Sequence, residues 1–205
     1  MTDHYYSPSP DAKYKIHTVA ESLRRHMYIF KTINGIFSYR KIDLGTMTLI
    51  EHITIPSGEC VLLDLGCGYG PIGIVLAYEN PKSQVYLTDI NKRCIWAAKE
   101  NIKFNIQNYK GRVFTKIGSY FEPIKSDLKF DAIYMNPPIR QGRKVFLAMI
   151  EEIRNYLKPG FFQFVIRKKM GANFIFEHLK KSFPGENIEV VCKRSGYWVF
   201  KCFHD

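Results

Sequence analysis

Long apolar runs are missing from this chain of 205 residues, and no stretch approaches the roughly eighteen apolar residues of a membrane-spanning helix. Its beginning lacks the basic-then-apolar pattern of a signal peptide, so a cytoplasmic protein with no membrane partner is expected. Cysteine is sparse. Cys60, Cys67, Cys94, Cys192 and Cys202 form no Cys-x-x-Cys pair and have no His-x-x-x-His companion, which argues against both a zinc site and a disulfide framework and leaves no metal to expect. Acidic residues are short as well: 19 Asp and Glu stand against 30 Lys and Arg, a formal charge of +11 with a pI near 9.4. That imbalance points to a polyanionic partner. No second copy of any motif is found, so internal duplication is not indicated. What is plentiful is apolar mass, 46% hydrophobic and 15% aromatic, which leaves little room for extended disorder and suits one substantial core.

The most informative stretch is Asp64-Leu65-Gly66-Cys67-Gly68-Tyr69-Gly70-Pro71-Ile72-Gly73. It follows an apolar β-type run, Cys60 to Leu63, and precedes an apolar helical run, Ile72 to Tyr78. The pattern is strand, glycine turn, helix. Such a turn visits backbone angles closed to other residues and lets a ligand approach the main chain, while the helix start points free N–H groups into the same crevice. Gly68-x-Gly70-x-x-Gly73 alone also fits a dinucleotide fingerprint, so a hydride-transfer enzyme stays open at this point. Two carboxylates favour S-adenosylmethionine. Asp64, before the first glycine, would repel a pyrophosphate but can pair with the ammonium of a methionine moiety. Asp89, ending the next strand Val85-Tyr86-Leu87-Thr88, can accept hydrogen bonds from two ribose hydroxyls. Asp64 is expected at a loop edge, where alanine would weaken cofactor binding and leave the fold intact.

Asn136-Pro137-Pro138-Ile139 follows the strand Phe130 to Met135 and so belongs at the carboxyl edge of the sheet, where open α/β sheets bind ligands. The prolines fix the backbone and withdraw N–H donors, leaving the Asn136 side-chain oxygen and the Pro137 carbonyl as acceptors. An exocyclic base amine or an amide nitrogen carries two donors for them. Holding both turns its lone pair toward a methyl donor. None of the cysteines follows a proline, as a base-attacking nucleophile would, so direct transfer to nitrogen is the expected chemistry.

Periodicity predicts helix at Thr46–Ile53, strand Cys60–Asp64, helix Pro71–Tyr78, strand Val85–Asp89, helix Lys92–Asn105, and strands Val113–Ile117 and Asp131–Met135. Helix Lys144–Leu157, strand Phe161–Ile166, helix Asn173–Phe183 and an antiparallel pair, Ile188–Cys192 with Tyr197–Phe203, complete the chain. Lys158-Pro159-Gly160 reads as a helix stop. The fold class is therefore α/β, Rossmann-like, with a mostly parallel seven-stranded sheet, an antiparallel C-terminal hairpin and helices on both faces. Residues 46–205 are read as the catalytic domain. Residues 1–45 are read as an N-terminal extension packed on or near it.

Several segments together resemble the small-domain group of class I S-adenosylmethionine-dependent methyltransferases, and within it the guanine-N2 ribosomal RNA methyltransferases and their single-domain archaeal relatives. They are Gly35-Ile36-Phe37-Ser38, Ile42-Asp43-Leu44-Gly45-Thr46, the Asp64 to Gly73 loop, Thr88-Asp89-Ile90-Asn91, Asn136 to Arg140, and Gly196-Tyr197. The opening His4-Tyr5-Tyr6-Ser7-Pro8-Ser9-Pro10 resembles the start of the archaeal relatives. The resemblance implies cofactor contact by Asp64, Gly66, Gly68, Gly70, Asp89 and Ile90, a further touch from Thr46, and methyl transfer at Asn136 with Pro137. Two departures stand out. Ser119 replaces the Asp that many methyltransferases use on the adenine amine, and its hydroxyl can still accept that bond. Ile139 stands where adenine-amine and glutamine methyltransferases often place a stacking aromatic, worth ~1–3 kcal/mol. Guanine N2 of ribosomal RNA is thus the expected target, with an adenine amine, a protein glutamine, or a non-catalytic cofactor- or RNA-binding module as alternatives. Pro138, Ile139, Arg140, Arg143 and Lys144 are expected to meet the substrate, and Arg167-Lys168-Lys169 also follow a strand end. Lys92, Lys180 and Lys181, on helices, suit a solvated surface.

Overall fold

The computed structural model describes residues 15–138, 143–182 and 188–204. The opening His4 to Pro10 segment lies outside them. In chain order the elements are β1 (Ile16–Leu23), β2 (His26–Ile33), α1 (Leu44–Glu51), β3 (Val61–Leu65), α2 (Pro71–Glu79), β4 (Gln84–Asp89) and α3 (Lys92–Asn105). There follow β5 (Val113–Ile117), β6 (Phe130–Met135), α4 (Arg143–Ile153), β7 (Leu157–Arg167), α5 (Ala172–Ser182), β8 (Ile188–Arg194) and β9 (Tyr197–His204).

Seven strands form one sheet in the order β5-β4-β3-β6-β7-β9-β8, parallel except for β9, which runs antiparallel to both β7 and β8. This is the expected fold class. The chain winds outward through β3, β4 and β5, then restarts at β6 on the other side of β3. The switch point, where ligands bind in such sheets, is thus the crevice beyond β3 and β6. Asp64 on β3 is the register partner of Tyr134 on β6, two residues before Asn136.

The central strands are apolar because helices cover both faces. One core contains Leu49 and Ile50 of α1, Ile74 to Ala77 of α2 and Ile95, Ala97 and Ala98 of α3. The other contains Phe146, Met149 and Ile150 of α4 and Ile175 and Leu179 of α5. Every residue from Pro71 to Ala77 is buried, as expected of a helix apolar all round. Gly73 lets α2 press on the sheet: a Cβ there would lie 2.6 Å from Leu87 Cγ.

Strand β7 begins four residues before the expected Phe161. Lys158-Pro159-Gly160 lies inside it because the register slips between Phe130 and Ala132 of β6. Such a bulge needs no ladder N–H from Pro159. At Gly160 a Cβ would meet the Asp131 carbonyl at 2.1 Å.

Ahead of α1, β1 and β2 form an antiparallel hairpin whose Leu23, Tyr28 and Phe30 are buried in the first core. Its outer edge is satisfied by asparagine side chains. Asn101 exchanges hydrogen bonds with Lys31 N and O at 2.6 and 2.9 Å, and Asn105 does the same with Ile29 at 3.1 and 2.9 Å. At positions i and i+4 of α3, these two amides mimic a neighbouring strand.

Candidate active site

The glycine loop hangs from the end of β4: Gly66 N and Cys67 N donate to the Thr88 carbonyl at 2.9 and 2.8 Å. Gly66, Gly68 and Gly70 have φ of 74°, 58° and 94°, in the left-handed region that only glycine enters freely. A Cβ built on Gly66 or Gly68 would meet nothing within 4 Å. These two glycines therefore border open space, and their backbone is accessible to a ligand.

Asp64 is fully buried, which corrects the expectation of a loop-edge residue. Its Oδ2 accepts from Gly73 N at 2.8 Å, capping α2, for which Gly70 has no side chain to offer. Alanine there would orphan a helix N–H. Its other oxygen, Oδ1, is buried without a partner. Burial, with a smaller push from Asp89, raises the Asp64 carboxyl to about 7 against the lowering pull of the Gly73 hydrogen bond. A buried, half-satisfied carboxylate beside an open backbone cradle lacks a cationic donor.

Asp89 ends β4. Its Oδ2 accepts from Gly68 N at 2.9 Å and its Oδ1 from Asn91 N at 2.8 Å, and the Cys94 thiol bonds the same carboxylate. Burial raises its carboxyl above the ordinary range, opposed by those two backbone bonds and by Cys94. Ile90 next to it is 36% exposed, an apolar surface at the same rim. Ser119 lies just beyond β5, within a turn where its N–H donates to Glu122 Oε2 at 3.0 Å.

Asn136 emerges from β6 onto the N-terminus of α1. Its Nδ2 donates to Asp43 Oδ2 at 3.0 Å and to Thr46 Oγ1 at 2.9 Å. Both amide hydrogens are thereby used, and among the described residues nothing donates to the acceptor Oδ1. Asp43 is the N-cap of α1, accepting from Gly45 N at 2.8 Å and Thr46 N at 3.1 Å. Thr46 is buried, with its hydroxyl engaged on Asn136. Pro137 is buried and Pro138 half-buried. Ile139 and Arg140 lie outside the described residues. Arg143 and Lys144 open α4, with their side chains likewise outside what is described.

Asp43 is the site residue that sequence reasoning left without a role. Its signal was an N-cap type three residues before Thr46. Tyr197 completes this corner: a Cβ on Gly45 would lie 2.8 Å from its ring, and Arg167 stands 5.9 Å from the ring centroid. Burial raises the Tyr197 phenol, Asp43 adds to the rise, and Arg167 opposes it. Among the described residues no cluster of metal-ligating side chains is found, and no helix is long and apolar enough to cross a membrane.

The model of the methyltransferase small domain matches residues 27–201, which include both carboxylates, the glycine loop and Asn136. The chain belongs to that family. It is an S-adenosylmethionine-dependent methyltransferase. It is 36% identical over 202 residues to the uncharacterized protein YbxB of Bacillus subtilis, covering 98% of each chain. Ribosomal RNA small subunit methyltransferase C of Buchnera aphidicola is 30% identical over 189 residues, covering 86% of this chain and 51% of that protein. The Photorhabdus laumondii protein of the same name is 34% identical over 137 residues, covering 64% and 38%. The chain thus spans about half or less of these ribosomal RNA enzymes. Among solved structures, the Thermus thermophilus 16S rRNA N2 G1207 methyltransferase (RsmC), in complex with AdoMet and guanosine, superposes with a TM-score of 0.74 at 19% identity. That likeness covers 97% of this chain and 52% of the other, and it concerns the fold.

Proposed function

We propose that this methyltransferase acts on the exocyclic amine of a base in RNA, with guanine N2 of small-subunit ribosomal RNA as the target. One juxtaposition carries the reading. Asp64, with its buried unpaired Oδ1, and Asn136, with its amide oxygen left as acceptor, stand on neighbouring strands at the switch-point crevice. The residues present fit S-adenosylmethionine, which supplies a methyl group activated by a sulfonium. Asp64 Oδ1 takes the methionine ammonium, and Asp89 takes the ribose hydroxyls. Gly66, Gly68 and Gly70 give the ligand room against the backbone. Ile90 and Ser119 border the adenine, and Thr46 supports the methyl-transfer side through Asn136.

Across the crevice, Asn136 Oδ1 and the Pro137 carbonyl would accept the two N–H bonds of the target amine and aim its lone pair at the methyl group, so that the N–C bond forms as the S–C bond breaks and the surplus amine proton passes to water. Pro138 and Ile139 flank the base. Arg140, Arg143 and Lys144 hold RNA phosphates, joined by the exposed Arg167, which ends β7, and Lys168 and Lys169 just after it. A base in duplex must be flipped or unpaired to reach the crevice. Similarity over most of the chain to enzymes named for small-subunit ribosomal RNA supports the choice of substrate class.

The test gives the purified protein labelled S-adenosylmethionine with ribosomal RNA and, separately, with protein extract, followed by nucleoside and amino-acid analysis. N2-methylguanosine in RNA is the expected product. Label in N6-methyladenosine or N5-methylglutamine would overturn the guanine assignment. S-adenosylmethionine should raise Tm, whereas nicotinamide dinucleotides should leave it unchanged.

A further inference from the structure

A primary amide has two ends that differ by one atom, and only one of them serves this chemistry. With Oδ1 toward the crevice, Asn136 accepts an N–H. Rotated by 180°, it would present Nδ2, a donor facing a donor. Thr46 Oγ1, 2.9 Å from Nδ2, cannot decide between the two, because a hydroxyl turns to donate or accept. Asp43 Oδ2, at 3.0 Å, can decide. An ionised carboxylate only accepts, so the rotated amide would set one oxygen against another with no proton between them.

Asp43 is itself held fast. Gly45 N and Thr46 N bind the same Oδ2 at the positive end of α1. The ring of Tyr197 closes over Gly45. The segment after α1 is fastened to the sheet, with Gln163 bonded to His52 O and Thr54 N at 2.9 and 2.8 Å and Tyr134 donating to Thr54 O at 2.6 Å. A carboxylate so fixed also polarises the amide it binds, shifting electron density onto Oδ1. That suits an acceptor nitrogen gaining positive charge as it is methylated.

We propose that Asp43 is a positioning residue for methyl transfer: it fixes which end of the Asn136 amide faces the target nitrogen and strengthens Oδ1 as an acceptor. The inference rests on the reading of Asn136 given under Proposed function. Asp43→Asn separates it from simple helix capping, because asparagine is as good an N-cap and has the same shape but is not an obligate acceptor. With the full chain and ribosomal RNA, kcat should fall about tenfold to a hundredfold. The KM for S-adenosylmethionine should stay constant, and Tm should change by less than about 2 °C. Wild-type kcat in this variant would overturn the proposal.

A second measurement does not depend on the target. In a nitrogen–proton correlation spectrum, the Asn136 side-chain pair is identified as the signal lost in Asn136→Asp. In Asp43→Asn this pair should shift and its amide should rotate faster. An unmoved signal would also overturn the proposal. If the signal responds but the wild type methylates no RNA, the target assignment fails and the positioning role stands.

Discussion

The two sides of the crevice are built in different ways. The cofactor side is tied by bonds that close short loops: Asp64 to Gly73 spans 9 residues and Gly68 to Asp89 spans 21. The acceptor side is tied across the whole domain, with Asn136 reaching Thr46 and Asp43 at separations of 90 and 93 residues. The cofactor cradle follows from a strand, a turn and a helix in sequence. The orientation of the Asn136 amide exists only once α1 has docked on β7 and β9.

The comparison breaks most sharply at Asn136. Asn136→Ala should cut methyl transfer on the order of a hundredfold, because a free amine rotates out of line. Its Kd for S-adenosylmethionine should remain that of the wild type, as measured by calorimetry. Loss of cofactor binding in this variant would mean that the two sides are one unit.

Asp64→Asn should do the opposite, weakening the cofactor about tenfold through loss of a charge-assisted bond. The pH dependence sharpens this prediction. Burial raises the Asp64 carboxyl to about 7, so the folded protein without ligand prefers the protonated form. That contribution to stability is present below the unfolded carboxylate range and is lost as pH rises through about 7. An ammonium requires the ionised form, so cofactor affinity should increase between about pH 5 and about pH 7, below the range where an α-ammonium titrates, with release of a proton. In Asp64→Asn that slope should vanish. A wild-type affinity that is flat over this range would remove the ammonium from Asp64.

The smallest expected effect concerns how the cofactor side is supported. Gly73→Ala sets a methyl 2.6 Å from Leu87 Cγ. Urea unfolding should show a loss of about 1–3 kcal/mol as α2 shifts off the sheet. An unchanged midpoint would show that Leu87 yields without cost.

The seven-stranded sheet was legible because its strands are apolar runs bounded by turn residues, a local signal. The β1–β2 hairpin was not. Its turn is Arg24-Arg25, both at positive φ and without a glycine. The turn is stabilised from outside: Arg24 reaches Glu51 Oε1 with its N–H at 3.0 Å and Glu79 with its guanidinium at 3.4 Å. The hairpin's edge partners are Asn101 and Asn105, helix side chains that no strand pattern would reveal. Asp64 was singled out from its place before the first glycine, but its depth was misjudged. Burial depends on what covers a strand end, here α2, whose Gly73 N also binds it.

By itself the amino-acid order determined the fold class, the glycine loop and the candidacy of Asn136, because each rests on spacing within one strand-turn-helix unit or on the end of one strand. Tertiary structure alone decided that Asp64 is buried with one oxygen unpaired, that Asp43 and Asn136 meet, and which end of the Asn136 amide Asp43 binds. Those properties depend on solvent exclusion and on hydrogen bonds between residues far apart in the chain, and neither exists until the sheet has closed around β3 and β6.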